Sequence, residues 1–180
     1  MDTIIKMKIA ICGKMCSGKT SLSNHIMRTF PGYQTYSFAS RIKELCSDLF
    51  GMKGKDRPLL IQFGNSMRDI DENVWINQVL QETSGKNNCI IDDVRYQNEV
   101  DTLIQDGWQF IQLHVHYETQ NKRIMKLYPD NYQDHLNASN HISESNSFTF
   151  PPGYPQLSLM MGEDNEHIII HDVNLLLMKQ

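Results

Sequence analysis

Long apolar runs are missing from this chain. No stretch approaches the roughly 18 consecutive apolar residues a membrane span needs, so nothing in it reads as transmembrane. The opening residues lack the basic start and apolar core of a secretory leader, and none is expected. Cysteine is sparse: Cys12, Cys16, Cys46 and Cys89 form no C-x-x-C pair. That argues against structural disulfides and zinc, and it fits a reducing, cytoplasmic setting. His114-Val115-His116 reads as ordinary strand chemistry rather than a zinc site. Basic residues are also in short supply. Seventeen Lys and Arg against 21 Asp and Glu give a net charge of −4 and a pI near 5.9, which excludes a duplex nucleic-acid binder. No Lys or Arg falls between Lys126 and Lys179, and no internal repeat is present.

What is present suffices for one ordinary domain spanning residues 1–180. Hydrophobic content of 40% and charged content of 21% are those of a globular chain rather than a disordered one. Apolar runs predict strands at Lys8–Cys12, Gln34–Phe38, Cys89–Asp92, Trp108–Val115 and His167–Ile170. Helical spacing predicts helices over Lys19–Thr29, Ser40–Phe50, Pro58–Arg68, Glu72–Glu82, Asn98–Gln105 and Thr119–Leu127. In the second of these, Ile42, Leu45, Cys46, Leu49 and Phe50 form one apolar stripe. Alternating strands and helices predict an α/β fold, a parallel sheet covered on both faces. Two segments interrupt the alternation: the basic loop from Gly51 to Pro58, and a long polar, aromatic-dotted stretch near residues 128–157. A loop of that length in a compact domain is usually functional or disordered, and a substrate lid is the expectation, with a surface insertion as the alternative.

The strongest chemical signal follows the first strand. Gly13-Lys14-Met15-Cys16-Ser17-Gly18-Lys19-Thr20 fits G-x-x-x-x-G-K-[ST], the Walker A pattern, between an apolar run and a helical one. The glycines let successive N–H groups converge on a phosphate, and the helix start adds its positive end. Lys19 is placed for the β- and γ-phosphates, and Thr20 for Mg²⁺. ATP and Mg²⁺ are therefore the expected cofactors. A GTPase would need a base-reading N-K-x-D, which is absent. At this length the commonest use of such a loop is small-molecule phosphoryl transfer.

A second segment, Cys89 to Glu99, is a strand running into Asp92-Asp93, then Arg95. An acid at the end of a parallel strand lies where ligands bind in open α/β sheets, so Asp93 or Asp92 can hold Mg²⁺. Asp93 is taken as the metal-side acid. Arg95 offers its planar fork to a phosphate on the same rim.

Asp93-Val94-Arg95-Tyr96-Gln97-Asn98-Glu99 resembles the D-V-R-[FY]-x-N-E segment of viral and bacteriophage deoxynucleoside monophosphate kinases. Further segments agree in order: Tyr36-Ser37-Phe38-Ala39-Ser40 with Lys43-Glu44-Leu45, the Lys55–Gly64 stretch, Asp71-Glu72-Asn73-Val74-Trp75, and His141-Ile142-Ser143-Glu144. The resemblance runs from about Lys8 to Glu144. It implies a P-loop kinase fold with five parallel strands flanked by helices, with ATP and Mg²⁺ as donor and a deoxynucleoside 5′-monophosphate as acceptor. It also implies Lys19, Arg95, Arg123 and Asp93 as catalytic groups. Gly13, Lys14, Cys16, Ser17, Gly18, Lys19 and Thr20 would hold the nucleotide. Arg41, Lys43, Gln62, Arg68, Trp75, Arg95, His141 and Glu144 would lie on the acceptor side. A viral source would place the protein in the host cytoplasm. The rivals are an adenylate kinase-like or phosphomevalonate kinase-like enzyme, or a nucleotide-binding module without catalysis. One departure stands out: many monophosphate kinases carry arginines in the lid, whereas here no cation lies between Asn131 and Ile170. Either the lid excludes water with Tyr128, Tyr132, Phe148, Phe150 and Tyr154, or a partner subunit of a homodimer lends a cation.

Overall fold

The computed structural model describes residues 7–54, 56–139, 148–162 and 166–178. Five strands are assigned: β1 (Lys8–Gly13), β2 (Gln34–Tyr36), β3 (Cys89–Ile91), β4 (Gln109–Val115) and β5 (Gln156–Met161). They form one parallel sheet in the order β2-β3-β1-β4-β5. The central strand β1 pairs Ile9 with Ile90 of β3 and with Gln109 of β4. Eight helices are described: α1 (Lys19–Thr29), α2 (Phe38–Phe50), α3 (Arg57–Ile70), α4 (Val74–Thr83), α5 (Gln97–Gln105), α6 (Tyr117–Leu127), α7 (Tyr132–Ser139) and α8 (Glu166–Met178).

The central strands are apolar on both faces, as a doubly covered parallel sheet requires. Side chains alternate along a strand, so β1 divides its residues between two cores. Ala10 and Cys12 join Ile91, Phe110 and the inward residues of α2, α4 and α5. Ile9 and Ile11 join Ile90, Ile111 and the inward residues of α1 and α8. Residues Ile9 to Cys12 are all fully buried. Burying one such side chain contributes about 1.5–3 kcal/mol, so this strand anchors everything that follows it.

The fifth strand departs from the sequence expectation. His167–Ile170 is not a strand but part of α8, and β5 lies earlier, at Gln156–Met161. Ile169, Val173 and Leu177 are buried at four-residue intervals, a helical period that outlasts the short isoleucine run. In β5, Leu157, Leu159 and Met161 turn toward the α1–α8 core at the alternating period of a strand.

Within the stretch expected as a substrate lid, the described residues are packed on the domain. Tyr132–Ser139 forms α7, which packs on α6, and Tyr128 stacks on His135 with ring centroids 3.8 Å apart. Phe148, Phe150 and Tyr154 pack against the α2–α4–α5 core. Phe150 meets Phe110 edge-on at 5.3 Å, and the Tyr154 hydroxyl donates to the Trp108 carbonyl. Their apolar surface is therefore already used, and they do not supply the aromatic closure expected of a lid. Among the described residues, no helix is long and apolar enough to cross a membrane.

Candidate active site

The loop between β1 and α1 has the geometry its glycines permit. Gly18 caps α1 in the left-handed region, at φ 100°, and Cys16 takes φ 59°, unusual for a residue with a side chain. At Gly13 (φ 154°) a β-carbon would come within 2.6 Å of both the Leu113 carbonyl oxygen and Ser17 Oγ, so only glycine fits. The Ser17 N–H donates to the Lys14 carbonyl at 3.1 Å, closing the turn. Lys19 folds its ammonium into the curl, donating to the carbonyls of Gly13 at 2.5 Å and Lys14 at 2.8 Å. Ser17 Oγ is buried without a hydrogen-bond partner, a hydroxyl left to satisfy something inside the cradle. Such a ring of N–H groups, ammonium and hydroxyl suits a nucleotide's phosphates.

Two side chains on α6 hold this loop from behind. Gln120, almost fully buried, donates to the Met15 carbonyl at 2.9 Å. Arg123 donates to the Cys16 carbonyl at 3.2 Å and to the Gly162 carbonyl at 2.8 Å. Two arms of its guanidinium thus shape the loop and tie it to the end of β5. Gln120 went unnoticed in the sequence, although its three-residue spacing from Arg123 puts both on one helix face.

At the end of β3 the two aspartates separate. Asp92 Oδ2 accepts from the Thr20 hydroxyl at 3.3 Å. Burial raises the Asp92 carboxyl above its ordinary range and neighbouring Asp93 raises it further, while Thr20 and Lys19 pull the other way. Asp93 is occupied elsewhere. It accepts from Ser37 Oγ at 2.7 Å, Phe38 N at 3.1 Å and Ala39 N at 3.0 Å, fixing the start of α2. Of the two aspartates, Asp92 is the carboxylate facing Thr20, whereas Asp93, expected on the metal side, is engaged by the start of α2. A hydroxyl and a carboxylate are hard oxygen donors that fit Mg²⁺. Beside them opens a cavity of about 410 Å³, lined also by Ser23, Ser37, Ser40 and Glu82.

A second cluster gathers between the end of α3 and the start of α5. Arg68 lies over the Tyr96 ring, 5.0 Å from its centroid, and donates to Asn65 at 3.3 Å. Arg95 is exposed one residue before Tyr96. Its N–H and that of Tyr96 donate to Glu99 Oε2 at 2.6 and 3.0 Å. Burial pushes the Glu99 carboxyl up to about 7 despite those two donors. Gln62 is exposed on α3, one turn before Asn65. Arg41 and Lys43 are exposed near the start of α2, and Arg41 pairs with Glu44 at 3.0 Å.

Trp75 is a correction. It is buried, its indole donates to the Gly64 carbonyl at 3.1 Å, and its ring tilts against Phe63 at 6.2 Å. It therefore packs α4 against α3. Gln97 likewise holds the chain, exchanging hydrogen bonds with the backbone of Thr149 at 2.8 and 2.9 Å. His141 and Glu144 lie outside the described residues.

Comparisons with known proteins agree with this geometry. Residues 9–145 match the family described as AAA domain. No curated protein matches the sequence. Among solved structures, a putative kinase from Chloroflexus aurantiacus J-10-fl is similar at a TM-score of 0.59 and 18% identity, covering 94% of this chain and 97% of its own. A gluconokinase from Sinorhizobium meliloti 1021 is similar at 0.56 and 12%, covering 99% and 100%. Shikimate kinase from Aquifex aeolicus is similar at 0.51 and 15%, covering 95% and 96%. The fold is a P-loop kinase fold.

Proposed function

The chain belongs to the AAA domain family, and from that premise we propose that it is an ATP- and Mg²⁺-dependent phosphotransferase acting on deoxynucleoside 5′-monophosphates. The observation that carries the reading is the pair of clusters on one rim. The Walker A loop with Thr20 and Asp92 suits a donor polyphosphate. Arg68, Tyr96 and Arg95 suit an acceptor that is itself a phosphate and carries a ring. A neutral polyol would not need guanidinium groups from two elements, whereas a phosphate is met bidentately by such forks.

The chemistry assigned to each residue follows. The loop N–H groups and Lys19 orient the donor phosphates and meet charge that grows as the terminal phosphoryl group leaves. Thr20 and Asp92 would hold Mg²⁺, which when bound neutralises charge on the donor oxygens. Arg95 and Arg68 hold the acceptor phosphate, one of whose oxygens attacks the terminal phosphorus in line as the bond to the ADP oxygen breaks. Gln120 and Arg123 keep the loop in shape. With Trp75 buried, exposed Tyr96 is the ring left to stack a base or crowd a 2′-hydroxyl.

A second reading is a kinase for a hydroxyl-bearing small metabolite, favoured by the gluconokinase and shikimate kinase likenesses. ADP release with a panel of deoxynucleoside and ribonucleoside monophosphates, phosphomevalonate, gluconate and shikimate separates the readings, with Lys19→Ala as the inactive control. Turnover confined to gluconate or shikimate would reject the monophosphate acceptor. Equal kcat/KM for every deoxy and ribo pair would reject the deoxynucleotide preference, since a clash or unpaired hydroxyl costs ~1–3 kcal/mol, about tenfold to a hundredfold.

A further inference from the structure

Glu99 is a buried carboxylate that the chemistry above does not use. It is 3% exposed, at the first turn of α5. An ordinary capping box ties the third helical side chain to the N–H of the cap residue, here Tyr96. Glu99 does this at 3.0 Å and also takes the N–H of the preceding residue, Arg95, at 2.6 Å. One buried oxygen gathering both N–H groups, the nearer at 2.6 Å, fixes the peptide from which the Arg95 side chain springs. The Tyr96 ring, hung from the other fixed peptide, carries the Arg68 guanidinium at 5.0 Å. Arg68, with Asn65 holding one of its arms, also faces Glu99 as an opposite charge, while Asp93 opposes it as a like one. The two guanidinium groups offered to the acceptor thus share one keystone.

We propose that Glu99 is a positioning residue that sets Arg95 directly, and Arg68 through Tyr96, for the acceptor phosphate. This rests on the monophosphate kinase reading above. Glu99 touches neither substrate; it acts through the peptides of Arg95 and Tyr96.

A double-mutant cycle with Arg95→Gln tests it, in steady-state assays with a deoxynucleoside monophosphate and ATP. Glu99→Ala should lower kcat/KM for the monophosphate at least tenfold while leaving the KM for ATP within twofold. In the Arg95→Gln background the same change should cost clearly less than in the parent, because only the part that acts through Tyr96 on Arg68 remains. Glu99→Gln, whose amide oxygen can accept both N–H groups, should recover most of the loss. Where Glu99→Ala does not fold, Glu99→Asp, one methylene short of the two donors, takes its place in the cycle. Equal losses in both backgrounds, or a matching rise in the KM for ATP, would reduce Glu99 to a helix cap. A wild-type enzyme that turns over no monophosphate would instead overturn the kinase reading itself.

Discussion

The two aspartates at the end of β3 give the most discriminating pair of substitutions. Asp93 collects three donors, the hydroxyl of Ser37 and the N–H groups of Phe38 and Ala39, at 2.7–3.1 Å. Asp93→Asn keeps one oxygen but turns an NH₂ group toward donors on the other side. Ser37 can rotate to relieve part of that conflict, so the net loss is one to two bonds to a charged group. At ~1.5–3 kcal/mol for each such bond, the expected destabilisation is about 1.5–6 kcal/mol. In a chain of this size that lowers Tm by roughly 3–24 °C. Asp92→Asn should behave in the opposite way. Its carboxylate accepts from the Thr20 hydroxyl at 3.3 Å, and it is desolvated beside a like charge. Losing that charge should leave stability within about 1 kcal/mol of the parent. The Mg²⁺ concentration for half-maximal ATP binding should rise about 10–100-fold, the usual consequence of removing a group that organises a metal site. Thermal unfolding and Mg²⁺-dependent ATP binding by calorimetry read both effects without reference to the acceptor. If Asp93→Asn raises the Mg²⁺ requirement at unchanged Tm, Asp93 is the metal-side acid and its contacts with α2 are incidental.

Gly13→Ala should abolish ATP binding in the same calorimetric assay and destabilise the fold by about 1–3 kcal/mol, because its β-carbon would lie 2.6 Å from a backbone carbonyl. Trp75→Phe should cost about 1–3 kcal/mol in denaturant unfolding, through the lost indole hydrogen bond to the Gly64 carbonyl and the volume removed from the core, while the acceptor KM stays within twofold. A larger KM shift would return Trp75 to the substrate wall. For Glu99 the folded carboxyl lies at about 7, above its ordinary 4.5, so the native state binds the proton more tightly than the unfolded chain. Its contribution is therefore favourable at low pH and is lost as pH rises from about 4.5 through about 7, by up to ~3 kcal/mol. Subtracting the stability–pH curve of Glu99→Gln from that of the parent should isolate this fall, and parallel curves would show no such shift.

What could be read from the sequence, and what could not, divides along physical lines. The phosphate loop was legible because its strand, glycines and helix are contiguous: Ile9–Cys12 runs straight into Gly13, and Gly18 straight into α1. Strand β5 was missed because three consecutive isoleucines satisfy a buried strand or a buried helix equally. Only the recurrence at Val173 and Leu177, beyond the run, favours the helix. Phe150 and Tyr154 read as lid aromatics because their partner, Phe110, is some forty residues away in the chain. The aspartates fail for a subtler reason. Successive residues on a strand face opposite sides, so one of Asp92 and Asp93 must point toward α1 and the other toward α2. Ile90 packs in the α1–α8 core and Ile91 in the α2–α4–α5 core. Continuing that alternation past the strand end puts Asp92 on the α1 side with Thr20 and Asp93 on the α2 side with Ser37. The sequence contains the alternation but not the pairing of Ile9 with Ile90 that sets its phase. Because a shift of one residue in that register would exchange the two carboxylates, which of them faces Thr20 is a property of strand pairing, and no motif centred on Asp93 could supply it.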